Sequence, residues 1–216
     1  MNTKAVFWDN DGVLVDTERL YFDATRQVLA SANIPLTRDE YVELFLRQGR
    51  GAWHLAEQRG IDVEEIDRLR RERDALYGRL LGEGSHAIDG VEEVLATLHG
   101  RVVMGIVTSS RRDHFDLIHQ SSGLLRYFDF ALTAGDYLQT KPQPDPYLAA
   151  IARSGFDADE CFAVEDSERG LQSALAAGVR CIIVPTTLTR ECAFAGAHCV
   201  VARAAYIPKV ISIADR

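Results

Sequence analysis

Two features that a membrane or nucleic-acid partner would require are missing from this 216-residue sequence. No apolar stretch reaches the roughly 18 residues that a bilayer span needs, and residues 1–4 lead into a short apolar run rather than a signal peptide. Basic residues are outnumbered, with 24 Lys and Arg against 32 Asp and Glu, whereas nucleic acids and anionic membranes bind positively charged surfaces. We therefore expect a cytoplasmic enzyme that acts on a small molecule, without a nucleic-acid or membrane partner. A chain of this size has no evident need for a partner subunit, so we expect a monomer.

Cysteine is scarce and lacks the spacing of a metal or redox site. The four cysteines form no Cys-x-x-Cys pair and no Cys/His group with zinc-ligand spacing, so we expect reduced core residues. They are Cys161, Cys181, Cys192 and Cys199. Four histidines have no partner visible in the sequence, and no role is predicted for them. They are His54, His86, His114 and His119.

Short apolar runs rich in β-branched and aromatic residues predict the strands of a buried parallel sheet. The five runs are Ala5–Trp8, Val102–Val107, Phe130–Thr133, Cys161–Val164 and Cys181–Val184. From about residue 89 onward they alternate with segments of helical periodicity. This alternation predicts an α/β fold in which helices cover both faces of a parallel sheet.

One segment departs from that alternation. Residues 17–86 have helical periodicity without a convincing strand, which predicts an inserted all-helical domain. The α/β core is then formed by residues 1–16 and 87–216. Two glycines in residues 82–85 increase backbone freedom and predict a flexible join.

Two helices of the insertion have clear signals. Thr37 and Glu40 have the capping-box spacing that opens one helix. Apolar residues at helical spacing predict a longer helix from Val63 to about residue 80. This helix carries dense charges of both signs, including Arg73 and Asp74, which predicts a solvated face.

Two carboxylates follow the first predicted strand. Asp9 and Asp11 stand two positions apart, so both face one side of a nearly extended backbone at the carboxyl edge of the sheet, where such folds bind ligands. Gly12 permits a turn that other residues resist. A divalent cation would relieve the repulsion between the two acids. The same pattern is typical of an Asp-rich turn, and the motif alone does not decide between the two interpretations.

Polar residues also follow three later predicted strands, and all should gather along the same sheet edge. The first segment offers hydroxyls for phosphate oxygens, the second a fixed positive charge, and the third oxygen ligands for a hard metal. Each also has an alternative interpretation as a helix cap or a surface residue. The segments are Thr108-Ser109-Ser110, Lys141-Pro142 and Glu165-Asp166-Ser167.

The order of these four motifs on successive strand ends resembles the haloacid dehalogenase superfamily, and the resemblance covers nearly the whole chain. It is most specific in residues 7–18, FWDNDGVLVDTE, and residues 164–170, VEDSERG. The sequence is most similar to the branch that contains β-phosphoglucomutase and phosphoglycolate phosphatase. The resemblance implies a Rossmann-like core with a helical cap inserted after the first motif, in agreement with the insertion described above.

The resemblance also implies a phosphatase mechanism for a small phosphate monoester. Asp9 would attack phosphorus to form an aspartyl phosphate, while Asp11 would protonate the leaving alkoxide and then activate water. Mg²⁺ would be bound by the Asp9 side chain, the Asp11 backbone carbonyl and Asp166, with Glu165 as a further candidate ligand. Charge neutralisation or phosphate binding is implied for Gly12, Thr108, Ser109, Ser110 and Lys141.

Individual residues argue against other activities that are found in the superfamily. Dehalogenases lack an acid at the position of Asp11, so dehalogenation is not expected. Phosphonate cleavage needs a reactive cap lysine, and residues 17–86 contain none. A β-phosphoglucomutase-like mutase remains an alternative, although Tyr21 stands where the known mutases usually carry a histidine. A non-catalytic phospholigand-binding protein is a second alternative, against which the intact acids and Lys141 argue.

Three residues of the predicted cap are candidates for substrate contact. Arg47 and Arg50 lie in a glycine-containing loop, where either can bind a second phosphate or a carboxylate. The alternative is an exposed loop arginine. Tyr21 either contacts the substrate or packs as a core aromatic on a helix face with Leu20 and Ala24.

Overall fold

The computed structural model describes residues 2–211 and contains one six-stranded sheet. Its strands are β1 (Ala5–Trp8), β2 (Val103–Arg111), β3 (Phe130–Ala134), β4 (Cys161–Glu165), β5 (Arg180–Ile183) and β6 (Cys199–Val200). They pair in parallel in the order β3-β2-β1-β4-β5-β6, which confirms the predicted fold class. The first strand of the chain therefore lies in the middle of the sheet, and its carboxyl end is flanked by those of β2 and β4.

The chain between β1 and β2 contains a series of helices, here called the helical segment. They are α1 (Glu18–Ser31), α2 (Arg38–Tyr41), its continuation as a π-helix (Val42–Arg47), α3 (His54–Glu57) and α4 (Val63–Leu81). The predicted capping box is present: Thr37 Oγ1 accepts from Glu40 N, and the Glu40 carboxylate accepts from Thr37 N at 2.8 Å. Apolar side chains of this segment, Leu29 and Ile66 among them, form a hydrophobic cluster of their own.

The helices that follow cover both faces of the sheet. They are α5 (Val91–Leu98), α6 (Arg112–His119), α7 (Asp145–Ser154), α8 (Glu168–Ala176) and α9 (Ile207–Val210). The side chains of β1 are fully buried and alternate between the two faces. Val6 and Trp8 pack in the cluster that includes residues of α5, α6 and α9, whereas Ala5 and Phe7 pack in the cluster with residues of α7 and α8. This burial on both faces fixes the position of the residues that follow β1.

The second strand is longer than the apolar run that predicts it. It extends past Val107 to Arg111, and its register against β3 shifts between these two residues. Ser109 and Ser110 therefore belong to the strand end, and α6 begins directly after it without a side-chain cap. The helix-cap interpretation of this segment is wrong, and its hydroxyls remain at the sheet edge.

The hydropathy of the helices and the burial of the cysteines can be compared with what the sequence predicts. None of the described helices combines the length and the hydropathy that a bilayer span requires. Cys161 and Cys181 are buried as predicted, whereas Cys192 and Cys199 are only partly buried, because they lie outside the central strands. All four are free thiols.

Candidate active site

Three carboxylates lie together at the carboxyl edge of the sheet. Asp9 follows β1, and Glu165 and Asp166 lie at the end of β4, the adjacent strand. One oxygen of each lies within 4.8 Å of the others, all three residues are buried, and Glu165 Oε2 has no hydrogen-bond partner among the described residues. Buried carboxylates repel each other unless a cation compensates them, and carboxylate oxygens are the ligands that Mg²⁺ prefers. The cluster therefore fits a hard divalent cation.

Lys141 supplies one positive charge to this cluster. Its Nζ lies 2.8 Å from Asp9 Oδ1, 2.6 Å from Glu165 Oε1 and 2.7 Å from the Val107 carbonyl oxygen. The Tyr147 hydroxyl donates to the same Glu165 oxygen at 2.5 Å. The Lys141 side chain is only 1% exposed, which excludes the surface-lysine interpretation. Because an ammonium group has three donors, these contacts fix Lys141 beside Asp9.

Burial changes the protonation of the cluster. Burial, reinforced by the charge of Glu165, raises the pKa of Asp9 to about 7, although Lys141 opposes the shift. Burial beside Asp9 also raises the pKa of Asp166 well above its usual range. Burial alone would lower the pKa of Lys141, but the carboxylates of Asp9 and Glu165 hold it above its usual range. Further positive charge at this position would therefore favour the ionised, nucleophilic form of Asp9.

Asp11 is held separately, by hydroxyl groups. Thr17 Oγ1 donates to one of its oxygens, and Ser110 Oγ donates to the other at 2.6 Å, with Thr108 Oγ1 at 3.4 Å. A hydroxyl can donate or accept, so these groups can hold Asp11 in either charge state. The Asp11 carboxylate is not one of the clustered oxygens, which leaves it available for proton transfer.

Both aspartates open onto a cavity of about 140 Å³. The end of β2 forms part of its wall through Thr108, Ser109 and Ser110. Ser109 Oγ is buried and makes no hydrogen bond of normal geometry among the described residues, while the nearby Tyr137 hydroxyl donates to the Thr108 carbonyl at 2.6 Å. A buried hydroxyl of this kind suits a phosphate oxygen as its partner.

Gly12 makes room for the acidic cluster. Its φ of +83° lies in the region that favours glycine, and a Cβ at this position would lie 2.4 Å from Asp166 Oδ2. Its backbone can therefore turn close to Asp166, as no other residue type allows.

The helical segment forms the opposite wall of the cavity through Tyr21, a predicted candidate, and through Arg73 and Asp74, which were not predicted. Arg73 on α4 is buried, so its predicted solvated position is wrong. Its Nη1 donates to the Tyr21 hydroxyl at 2.6 Å, and its Nε donates to Asp74 Oδ1 at 2.7 Å. Arg111, at the end of β2, donates to Asp74 Oδ2 at 2.7 Å. These contacts join the helical segment to the sheet edge, and no periodicity or charge count in α4 reveals them.

Two further charged residues line the cavity beside the motifs that the sequence analysis used. Glu18 follows Thr17 in the first motif, and Arg169 follows the acids after β4. The Tyr41 hydroxyl donates to Glu18, whose pKa is raised by burial, although the charge of Arg169 opposes that shift. Both lie inside the two stretches in which the family resemblance is most specific, and this is the sequence signal that points to them.

A family model described as haloacid dehalogenase-like hydrolase matches residues 6–184. That range contains every site residue described above. The chain belongs to this hydrolase family. The resemblance expected from the motifs is confirmed, and so is the assignment of the chain as a hydrolase.

Two related enzymes and one solved structure match most of the length of this hydrolase. The phosphorylated carbohydrates phosphatase of Thermotoga maritima is 30% identical over 182 residues, which cover 82% of this chain and 82% of that protein. The fructose-1-phosphate phosphatase YqaB of Escherichia coli is 28% identical over 183 residues, which cover 83% and 95% respectively. The crystal structure of β-phosphoglucomutase from Clostridium difficile superposes with a TM-score of 0.80 at 20% identity, covers 96% of each chain and shows the same fold.

The two loop arginines that are candidates for substrate contact do not line the cavity. Arg47 forms ion pairs with Glu43 at 3.1 Å and with Glu168 at 3.2 Å, and the second pair joins the helical segment to α8. Arg50 is exposed. Neither residue lines the cavity that contains Asp9, so a substrate contact by either arginine stays a prediction.

Gly170 leaves room for the Glu165 carboxylate, and its substitution should disturb the site. A Cβ at Gly170 would lie 1.9 Å from Glu165 Oε2, so Gly170→Ala should push that carboxylate away from Lys141. We expect the free energy of unfolding in urea to fall by about 1–3 kcal/mol, as for other overpacked cores.

Gly78→Ala is the matched control for this substitution. A Cβ at Gly78 in α4 has an ordinary contact at 3.7 Å, and alanine is the better helix former, so stability should be kept or increased. Wild-type stability of Gly170→Ala would show that Glu165 is not confined as described.

Proposed function

We propose that this hydrolase is a Mg²⁺-dependent phosphatase that cleaves a small phosphate monoester through an aspartyl phosphate on Asp9. The observation that carries the proposal is the contact of Asp9 with Lys141 at 2.8 Å inside an acidic cluster that suits a divalent cation. Two relatives named as phosphatases of phosphorylated sugars support the same substrate class. A monomeric state and a cytoplasmic location remain part of the proposal.

The first step is transfer of the phosphoryl group to Asp9. A carboxylate needs no general base at neutral pH, so the main obstacle is its repulsion from the phosphate dianion. Lys141 neutralises part of this charge, and Mg²⁺, for which we propose Asp9, Asp166, the Asp11 carbonyl and Glu165 as ligands, would neutralise more when bound. An Asp9 oxygen bonds to phosphorus as the bond to the ester oxygen breaks, and Asp11 protonates that oxygen.

The second step releases the phosphate. Asp11, now ionised, takes a proton from water as the water oxygen attacks phosphorus, and the bond to Asp9 breaks. The hydroxyls of Thr17 and Ser110 support both steps, because each can donate to the ionised Asp11 and accept from the protonated form. We assign the binding of phosphate oxygens to Gly12, Thr108, Ser109 and Ser110.

We propose that the helical segment acts as a cap domain, residues 17–86, over a core of residues 1–16 and 87–216. Its Arg73 and Asp74 reach the sheet edge through Arg111, which closes one side of the cavity. The cavity between cap and core is lined mostly by charged and hydroxyl-bearing side chains, which suits a phosphate ester with a polar leaving group.

Tyr21 favours hydrolysis over the mutase alternative. Its side chain lines the cavity and also packs edge-to-face on Tyr77, with the ring centroids 5.1 Å apart. Tyr21 therefore has features of both a core aromatic and a residue of the site. Burial raises the pKa of Tyr21 above its usual range, so the phenol stays neutral and cannot exchange protons near neutral pH as a histidine does. Tyr21 thus lacks the proton exchange of the histidine that the known mutases usually carry at this position.

The proposal is tested with the purified full chain on a panel of phosphate esters that includes fructose 1-phosphate. We expect Mg²⁺-dependent release of inorganic phosphate, which a chelator abolishes and excess Mg²⁺ restores. β-Glucose 1-phosphate with a bisphosphate activator separates the alternatives, since a mutase forms glucose 6-phosphate instead. No turnover on any ester, with phosphate esters still bound, would indicate a non-catalytic phospholigand-binding protein.

A further inference from the structure

His119 is a buried histidine that contacts the first motif. It lies at the end of α6 and is only 6% exposed. Its Nε2 lies 2.8 Å from Oδ1 of Asn10, and its Nδ1 lies 2.8 Å from Oγ of Ser122. Asn10 is itself fully buried and separates Asp9 from Asp11 in the chain. The contact therefore connects α6 to the residue between the proposed nucleophile and the proposed acid.

The hydrogen bonds of His119 define its tautomer. Ser122 Oγ accepts from a backbone N–H, which directs its own proton to Nδ1, so Nε2 carries the ring proton and donates it to Asn10. Burial lowers the pKa of His119 to about 4, so the ring is neutral and its Nδ1 accepts from the Ser122 hydroxyl. Ser122 Oγ in turn accepts from Leu124 N at 3.1 Å. Both ring nitrogens and the Ser122 hydroxyl are thus paired in one arrangement.

The other end of the Asn10 amide faces Asp11. Asn10 Nδ2 donates to Asp11 Oδ2 at 3.3 Å, the same oxygen that accepts from Ser110. Rotation of an amide by half a turn exchanges its nitrogen and oxygen. That rotation would turn an oxygen toward the Asp11 carboxylate and an N–H toward the proton on His119 Nε2, and both contacts would be repulsive. The Nε2 proton therefore selects the orientation in which Asn10 donates to Asp11.

We propose that His119 is a positioning residue, which holds the Asn10 amide as a donor to Asp11 and so fixes the acid that protonates the leaving group. The inference rests on the proposed phosphatase function. A histidine that only packs in the core would affect stability, but not the dependence of the rate on the leaving group. An alkyl ester needs a proton on its departing oxygen, whereas p-nitrophenolate leaves without one.

Two substitutions separate the two hydrogen bonds of His119. In His119→Gln the amide nitrogen can occupy the place of Nε2 and still donate to Asn10. In His119→Asn the shorter amide reaches only the place of Nδ1, which keeps a partner for Ser122 and loses Asn10. Ile118→Val, at the adjacent buried position of α6, controls for general destabilisation of the core.

The measured quantity is kcat/KM with an alkyl phosphate and with p-nitrophenyl phosphate, because it covers the steps through cleavage of the ester bond. We expect His119→Asn to lower the value for the alkyl ester about tenfold and that for the aryl ester less than about twofold, a fraction of the full effect of a general acid. His119→Gln and Ile118→Val should stay within about threefold of wild type on both esters.

The outcomes are distinguishable. A loss by His119→Asn that is equal for the two esters, or no loss, overturns the inference alone. A wild type inactive on both esters overturns the proposed function, and the inference with it. Imidazole ¹H–¹⁵N spectra of the wild-type protein add a test that needs no variant: we expect a neutral His119 protonated on Nε2, and a ring protonated on Nδ1 overturns the assignment.

Discussion

Asp9→Asn should reduce kcat on the order of 10,000-fold or more, the size of effect seen when a covalent nucleophile is removed. An amide keeps the shape of the side chain and can still accept from Lys141, but it cannot form the bond to phosphorus. The residual rate measures what Lys141, Asp11 and the hydroxyls contribute without a covalent step. Phosphate release from an ester that the wild type hydrolyses is the measurement.

The stability of the same variant separates chemistry from folding. The pKa of Asp9 is raised from 3.8 to about 7 in the folded protein. The free energy of unfolding therefore falls as the pH rises from about 4 to about 7, because the unfolded chain ionises first. The neutral amide removes this effect, and without metal the variant should unfold no more easily than wild type near pH 7. Asp39→Asn, an exposed acid on α2, is the matched control and should keep full activity. Turnover by Asp9→Asn near the wild-type rate would refute the nucleophile assignment.

Lys141→Met should lower the free energy of unfolding by about 3–5 kcal/mol, because it leaves buried carboxylates without their cation. Methionine fills a similar volume, so the loss comes from charge and not from a cavity. Turnover should fall as well, since Asp9 then faces the phosphate dianion without Lys141. Urea unfolding of the variant and of wild type, in the absence of divalent cations, measures the difference.

The pH dependence and a second variant identify the cause of that loss. Without Lys141 the pKa of Asp9 should rise above its wild-type value of about 7, so the deficit should grow as the pH rises above about 7, where wild-type Asp9 ionises and the variant's carboxyl is forced to. Combining Lys141→Met with Asp9→Asn should recover part of the stability, because one buried charge is removed. Lys4→Met is the control: its side chain is 50% exposed and 3.9 Å from Glu160, so we expect a change below about 0.5 kcal/mol. A deficit independent of pH would contradict this explanation.

The strands that carry the site follow from short-range patterns. The runs at Ala5–Trp8 and Cys161–Val164 are apolar throughout because the strands are buried on both faces, and the residues after them reach the same edge because the strands are parallel. Positions such as Asp9 and Asp166 were thus predictable from topology and residue type. The two-residue strand β6 was not, since two residues produce no periodicity.

The residues that remained hidden depend on contacts between distant parts of the chain. Arg73 belongs to a helix with charges of both signs, and its buried position depends on partners such as Tyr21, 52 positions away. His119 meets Asn10 across 109 positions. Local sequence cannot specify such pairs, because burial of a charged or polar side chain is decided by what the fold places against it.

The central position of β1 has a consequence for the order in which the enzyme is made. Asp9 follows β1, and Ala5 in that strand pairs with Val103 on one side and with Cys161 on the other. These long-range pairings are slow to form and require nearly the whole chain. Asp9 is therefore synthesised well before Lys141 and Asp166, and the site cannot form until β4 has emerged, so chains that end before β4 should be catalytically silent.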